Sequence, residues 1–133
     1  MPKPTELNLH RQSAVLDIAF DDGTKGSLPA EYLRVYSPSA EVRGHSPEQA
    51  VLQTGKENVA IQNIEPVGNY AVRLFFNDGH DSGIYTWDYL YELATQYEHK
   101  WQDYLDRLQA AGKPRKQSGD ANVVQTYNPK QDR

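Results

Sequence analysis

Four histidines, at positions 10, 45, 80 and 99, are the side chains best suited to hold a metal or move a proton near neutral pH. None opens the H-x-D/E half of an iron facial triad, because Gln12, Pro47, Ser82 and Trp101 stand two residues beyond them. The sequence holds no glycine-rich phosphate loop, no H-E-x-x-H zinc helix and no G-x-S-x-G elbow. It also has no cysteine, so neither a thiolate metal ligand nor a cysteine nucleophile can come from within it. No catalytic constellation emerges, and the chain is expected not to be an enzyme.

His80 stands apart from the other three. It follows an Asp-Gly turn, and with His45 plus Asp78 or Asp81 it could offer nitrogen and oxygen ligands to iron or zinc. The competing reading is a ring hydrogen-bonded to backbone beside the turn. His45 lies in an irregular loop between Gly44 and Ser46, His10 ends a strand next to Arg11, and His99 faces Asp103 one helical turn on.

The elements that must position these residues come from a phrase the chain carries twice. Phe20-Asp21-Asp22-Gly23 is followed by Gly26, Tyr32 and Leu33; Phe76-Asn77-Asp78-Gly79 is followed by Gly83, Tyr89 and Leu90. The offset is 56 at the first glycine and 57 from the second onward, which leaves one extra residue next to His80. Each copy reads as strand, Asp-Gly turn, strand and helix start, since glycine accepts the positive φ of a tight hairpin turn. Leu16, Ile18 and Phe20 alternate toward a core, as do Val72, Leu74 and Phe76, and Tyr70 joins the second set by parity. Ser27 is expected to cap a first helix over 30–35, and Thr86 to cap a second. From Leu90 to Leu108, apolar residues recur at spacings of three and four, predicting one long amphipathic helix that Gly112 and Pro114 stop. Residues 37–57 are irregular, with one helical turn expected over Pro47–Ala50 behind a Ser46 cap.

The fold class that follows is α+β: a small antiparallel sheet from two related strand–turn–strand–helix units, with a long C-terminal helix packed on one face. The domain is expected over 1–112, followed by a disordered basic tail over 113–133. That tail carries +3 and the remainder −7, out of a net −4. An acidic body repels phosphate backbones, so nucleic acid is not expected as a partner. The aromatics of the long helix read as core, apart from Tyr91, which could help form a protein-binding surface. The apolar runs are too short to span a membrane, and the first residues lack the apolar core of a secretory signal, so a cytoplasmic location is expected.

Tyr32-Leu33-Arg34, the run from Ser37 to His45, Val67-Gly68-Asn69-Tyr70 and the run from Asp78 to Trp87 together resemble the γ-butyrobetaine hydroxylase-like N-terminal domain, across roughly residues 6–95. In the hydroxylases, the resemblance implies, this domain precedes an iron- and 2-oxoglutarate-dependent barrel. There it holds a structural zinc through a C-x-C-x-x-C run and one later histidine. Here Ser37, Ser39 and Val42 stand at the cysteine positions and His80 at the histidine, so neither the zinc nor the hydroxylase activity carries over. Similar domains also occur fused to iron–sulfur cluster carriers, which implies a partner-binding role near iron metabolism. The expectation is a non-catalytic module that docks another protein through Arg34, Ser37, Ser39, Arg43, His45 and His80. The alternative is an iron- or zinc-binding protein centred on His80.

Overall fold

The computed structural model describes residues 2–44, 50–113 and 115. The first unit is an antiparallel meander, β1 (Pro4–His10), β2 (Val15–Phe20) and β3 (Lys25–Pro29), leading into α1 (Ala30–Val35). A short helix, α2 (Ala40–Arg43), follows. The second unit repeats the plan with β4 (Ile61–Val67), β5 (Ala71–Phe76), β6 (Ile84–Thr86) and α3 (Trp87–Thr95); α4 (Tyr97–Ala110) completes the α+β architecture. Each unit has its own three-stranded sheet, so the single small sheet expected from sequence is divided in two.

The alternation of β2 and β5 is realised as read. Leu16, Ile18, Phe20, Val72, Leu74 and Phe76 are all buried, together with Leu33, Leu90 and Leu93 from the helices. Glycines 23 and 79 sit at φ +90°, the conformation their hairpin turns demand. Tyr70 departs from the parity expectation: it lies in the turn before β5 begins, where strand alternation does not apply, and is 53% exposed. Ser27 is not the cap of α1. It sits inside β3 and donates to Asp17 across the sheet (2.6 Å), while Pro29 holds the cap position without a side-chain hydrogen bond. Thr86 does cap α3, accepting from the Tyr89 amide at 3.2 Å.

The long helix is broken. At Gln96 the backbone leaves helical geometry (φ −114°, ψ 24°), while Thr95 Oγ1 turns back to the Tyr91 carbonyl at 2.9 Å. The break serves two packing surfaces that one straight cylinder would not reach. Leu90 and Leu93 of α3 join the main core, whereas Tyr104 and Leu108 of α4 pack with Val35 in a second cluster.

The two units also touch reciprocally. Tyr32 Oη donates to the Leu93 carbonyl (2.8 Å), and Tyr89 Oη, 57 residues on, donates to the Tyr36 carbonyl (2.6 Å), itself 57 residues before Leu93. Asp22 accepts from Tyr91 of α3 (2.7 Å); its counterpart Asp78 accepts from Arg34 of α1 (2.9 Å). Gly26 packs on Ala94 and Gly83 on Ser37. The repeat is thus a pseudo-two-fold arrangement in which the turn of each unit rests on the helix of the other. Tyr91, expected on a binding surface, belongs to this packing, with its ring edge-on to Phe20 at 5.0 Å.

Candidate functional site

The richest polar cluster forms where the β5–β6 turn of the second unit meets the end of α1. Asp78 begins it. Its Oδ1 accepts from the His80 amide (3.1 Å) as a local turn bond, leaving Oδ2 for Arg34 Nε and Lys56 Nζ, each at 2.9 Å. Burial opposes ionisation of Asp78, but the hydrogen bonds from Lys56, the His80 amide and Arg34 prevail and pull its pKa down to about 2. Arg34 also donates to Gln53 at 3.1 Å.

His80 lies beside this pair, with 4% of its side chain exposed. Its Nε2 is 2.9 Å from Ser37 Oγ and its Nδ1 is 3.2 Å from a Glu41 carboxylate oxygen. A carboxylate only accepts, so Nδ1–H faces Glu41 and Nε2 accepts the Ser37 hydroxyl proton when the ring is neutral. Burial, then the Arg34 charge, lower the imidazole pKa, against an opposing pull from Glu41 and Asp78. Ser37 Oγ in turn accepts from the Ser39 amide (3.2 Å). Ser39 Oγ caps α2 through the Glu41 amide (3.1 Å) and meets Ser82 Oγ at 2.7 Å. Gly83 makes room for Ser37, because a Cβ there would stand 2.5 Å from its Oγ.

Of the residues singled out from sequence, Arg34, Ser37, Ser39 and His80 therefore converge, but below the surface rather than on it: all four are buried. Arg43 is exposed and lies over the Tyr89 ring (4.7 Å to its centroid). His45 and the turn expected over 47–50 lie outside the described residues, apart from Ala50, which is not helical. Among the described residues the His80 ring bonds no backbone group, contrary to one reading; its partners there are the side chains of Ser37 and Glu41. Nor does Asp78 turn to that ring, being held by Arg34 and Lys56. His10 bonds Asp17 across the first hairpin (2.9 Å), and Asp103 pairs with Arg107 (3.1 Å). Glu41, Gln53, Lys56 and Ser82 went unread. The signal for Glu41 and Ser82 was present, in a serine two residues before a glutamate and in the inserted stretch after Gly79; Gln53 and Lys56 carried none.

These residues do not fit a zinc ion. Two neutral hydroxyls and the buried isopropyl group of Val42 stand where thiolates would be needed, and Ser37 Oγ and His80 Nε2 are already in direct hydrogen-bond contact. Among the described residues no three histidine, aspartate or glutamate side chains group as a metal site. What the cluster can do is join the two units, as a network of neutral and charge-assisted hydrogen bonds.

A small groove opens beside it. About 150 Å³ in volume, it is floored by Val35, Val42 and Leu52, walled by Tyr89, and rimmed by Arg43 and Arg107. Val51 stands on its lip, 54% exposed.

The profile of the γ-butyrobetaine hydroxylase-like N-terminal domain matches residues 7–91. The chain belongs to this family. Two proteins with solution NMR structures are similar to it. One is 51% identical with a TM-score of 0.76, covering 93% of this chain and 96% of the other; the second is 52% identical with a TM-score of 0.75, covering 92% of each. A crystal structure of a protein of unknown function from Acidithiobacillus ferrooxidans is 40% identical with a TM-score of 0.58, covering 68% of this chain and 91% of that one. No match was found among curated proteins. Among the described residues, no helix of this family member is long and apolar enough to cross a membrane.

Proposed function

We propose that this chain is a non-catalytic, cytoplasmic protein-binding module that takes a short segment of a partner into the groove beside the Ser37–His80 cluster. The observation carrying this reading is the groove's composition: an apolar floor, the exposed Val51 on its lip, and two guanidinium groups on its rim. That chemistry suits a segment offering one apolar side chain flanked by a carboxylate. Arg34, Ser37, Ser39 and His80 serve the surface indirectly, by fixing α2, which carries Val42 of the floor and Arg43 of the rim. The non-catalytic reading is supported by the engagement of His80, Arg34 and Asp78 with one another and with neighbouring side chains, which leaves them poorly placed to meet a substrate. Iron–sulfur cluster carriers are the first partners to try, since similar domains occur fused to them; this rests on association.

Affinity purification from the native cell with wild-type bait, followed by titration of the recovered partner, tests the proposal. Arg43→Glu combined with Val51→Asp is expected to abolish binding while leaving the circular dichroism spectrum unchanged. Full recovery of the same partner by that folded variant would sink the groove as the contact surface.

A further inference from the structure

Glu31 opens α1, yet only 7% of its side chain is exposed. Burial and, after it, the Glu31 charge raise the phenol pKa values of Tyr97 and Tyr104 on α4; Tyr97 and Trp101 stack 6.3 Å apart with 14° between their planes, and Trp101 lies 5.4 Å from Tyr104. A carboxylate in such a place needs a cation held in good geometry. The cation comes from beyond α4. Gly112 (φ +71°) reverses the chain, the Lys113 amide bonds the Leu108 carbonyl (2.9 Å), and Arg115 returns to Glu31. Its Nε donates to both carboxylate oxygens (3.0 and 2.8 Å) and its Nη2 to Oε1 (2.7 Å), while its Cζ lies 5.7 Å from the centre of the Trp101 ring.

This geometry is specific to a planar fork. A guanidinium can bridge a carboxylate and face an indole at once; an ammonium, as a hydrated point charge, does only part of this. The site is also accessible, because the Arg115 side chain remains 27% exposed. We infer that Glu31, Tyr97, Trp101 and Tyr104 form a guanidinium-binding pocket, filled in cis by Arg115 and open to an arginine side chain of another polypeptide when Arg115 is displaced. The inference is independent of the partner-binding groove. It gives the Arg115 side chain the role of an exchangeable plug.

Chemical rescue of the full-length chain tests it. Arg115→Ala is expected to lower the folding constant roughly 5–30-fold, the scale of losing a single strong interaction. Ethylguanidinium should then raise the Tm of that variant saturably, and ethylammonium at the same concentration should not. Wild type, whose pocket is filled, should show no saturable rise, and Glu31→Gln added to Arg115→Ala should abolish the response. Arginine amide should shift the Trp101 indole resonance of Arg115→Ala alone. Equal rescue by ethylammonium, rescue that persists with Glu31→Gln, or an Arg115→Ala variant as stable as wild type would each overturn the proposal. Should Arg115→Ala not fold, Arg115→Lys retains a cation, and a Trp101 resonance that stays still in that variant on adding ethylguanidinium would overturn it equally.

Discussion

At the scale of residues, Ser37 decides how the polar cluster works. Its hydroxyl gives the buried His80 Nε2 a donor and the Ser39 amide an acceptor. Removing it leaves both without that partner in a place where water does not readily substitute. Ser37→Ala is therefore expected to lower unfolding stability by about 1–3 kcal/mol in urea titration. The loss should be partly offset in Ser37→Ala/Gly83→Ala relative to Gly83→Ala alone, because the incoming Cβ then has the space the hydroxyl held. Additive losses would show that the two residues do not compete for that space. In sequence Ser37 was nominated for a binding surface, and nothing there pointed to a buried hydrogen bond with His80.

Among the elements, α4 and the segment after it behave differently from α3. The α3 leucines sit in the main core, whereas α4 contributes Tyr104 and Leu108 to a satellite cluster with Val35, and its C-terminal reversal brings Arg115 to Glu31. A chain ending at Gly112 is thus expected to fold, retaining both clusters while losing the Arg115 contact with Glu31 and the Lys113 amide bond to the Leu108 carbonyl. One ending at Gln96 should lose cooperativity, because Val35 and Trp101's neighbours are left uncovered. Dispersed amide resonances for the first and collapsed ones for the second would match this division; collapse of both would make the segment after α4 integral to the core.

For the whole molecule, the pseudo-two-fold arrangement is symmetric in contacts and asymmetric in strength. Asp22 meets the Tyr91 hydroxyl near solvent; Asp78 meets two cations in a half-buried cluster. Asp78→Asn is expected to cost about 1.5–3 kcal/mol, the range for hydrogen bonds to charged groups, and Asp22→Asn clearly less. The acid dependence follows with its sign. The Asp78 pKa in the folded state, about 2, lies below the ordinary 3.8, so the native state binds fewer protons in that interval. Its contribution is complete above about pH 4 and is lost as pH falls toward 2. Denaturant titrations across that range should show wild type losing this increment and Asp78→Asn lacking it; parallel curves would mean the carboxylate is not held as described.

Much of this was legible in the sequence, because much of it is local. Period-two alternation, the Asp-Gly turns and the duplicated phrase depend on residues within a few positions of one another, and they specified the strands, both helix starts and the kinship of the halves. The Ser39 cap of α2 and the place of Tyr70 in a turn were local signals that went unread; the break at Gln96 was not legible, since it turns on the two packing surfaces that neighbouring elements offer. For the same reason Arg34 and His80 could be nominated together from sequence but not understood. Only the tertiary fold, by bringing Asp78, Glu41 and Ser37 from distant parts of the chain within hydrogen-bond reach, made them a buried joint between the units. That fold also turned Arg115, by sequence merely one cation in a polar tail, into the partner of a carboxylate 84 residues away.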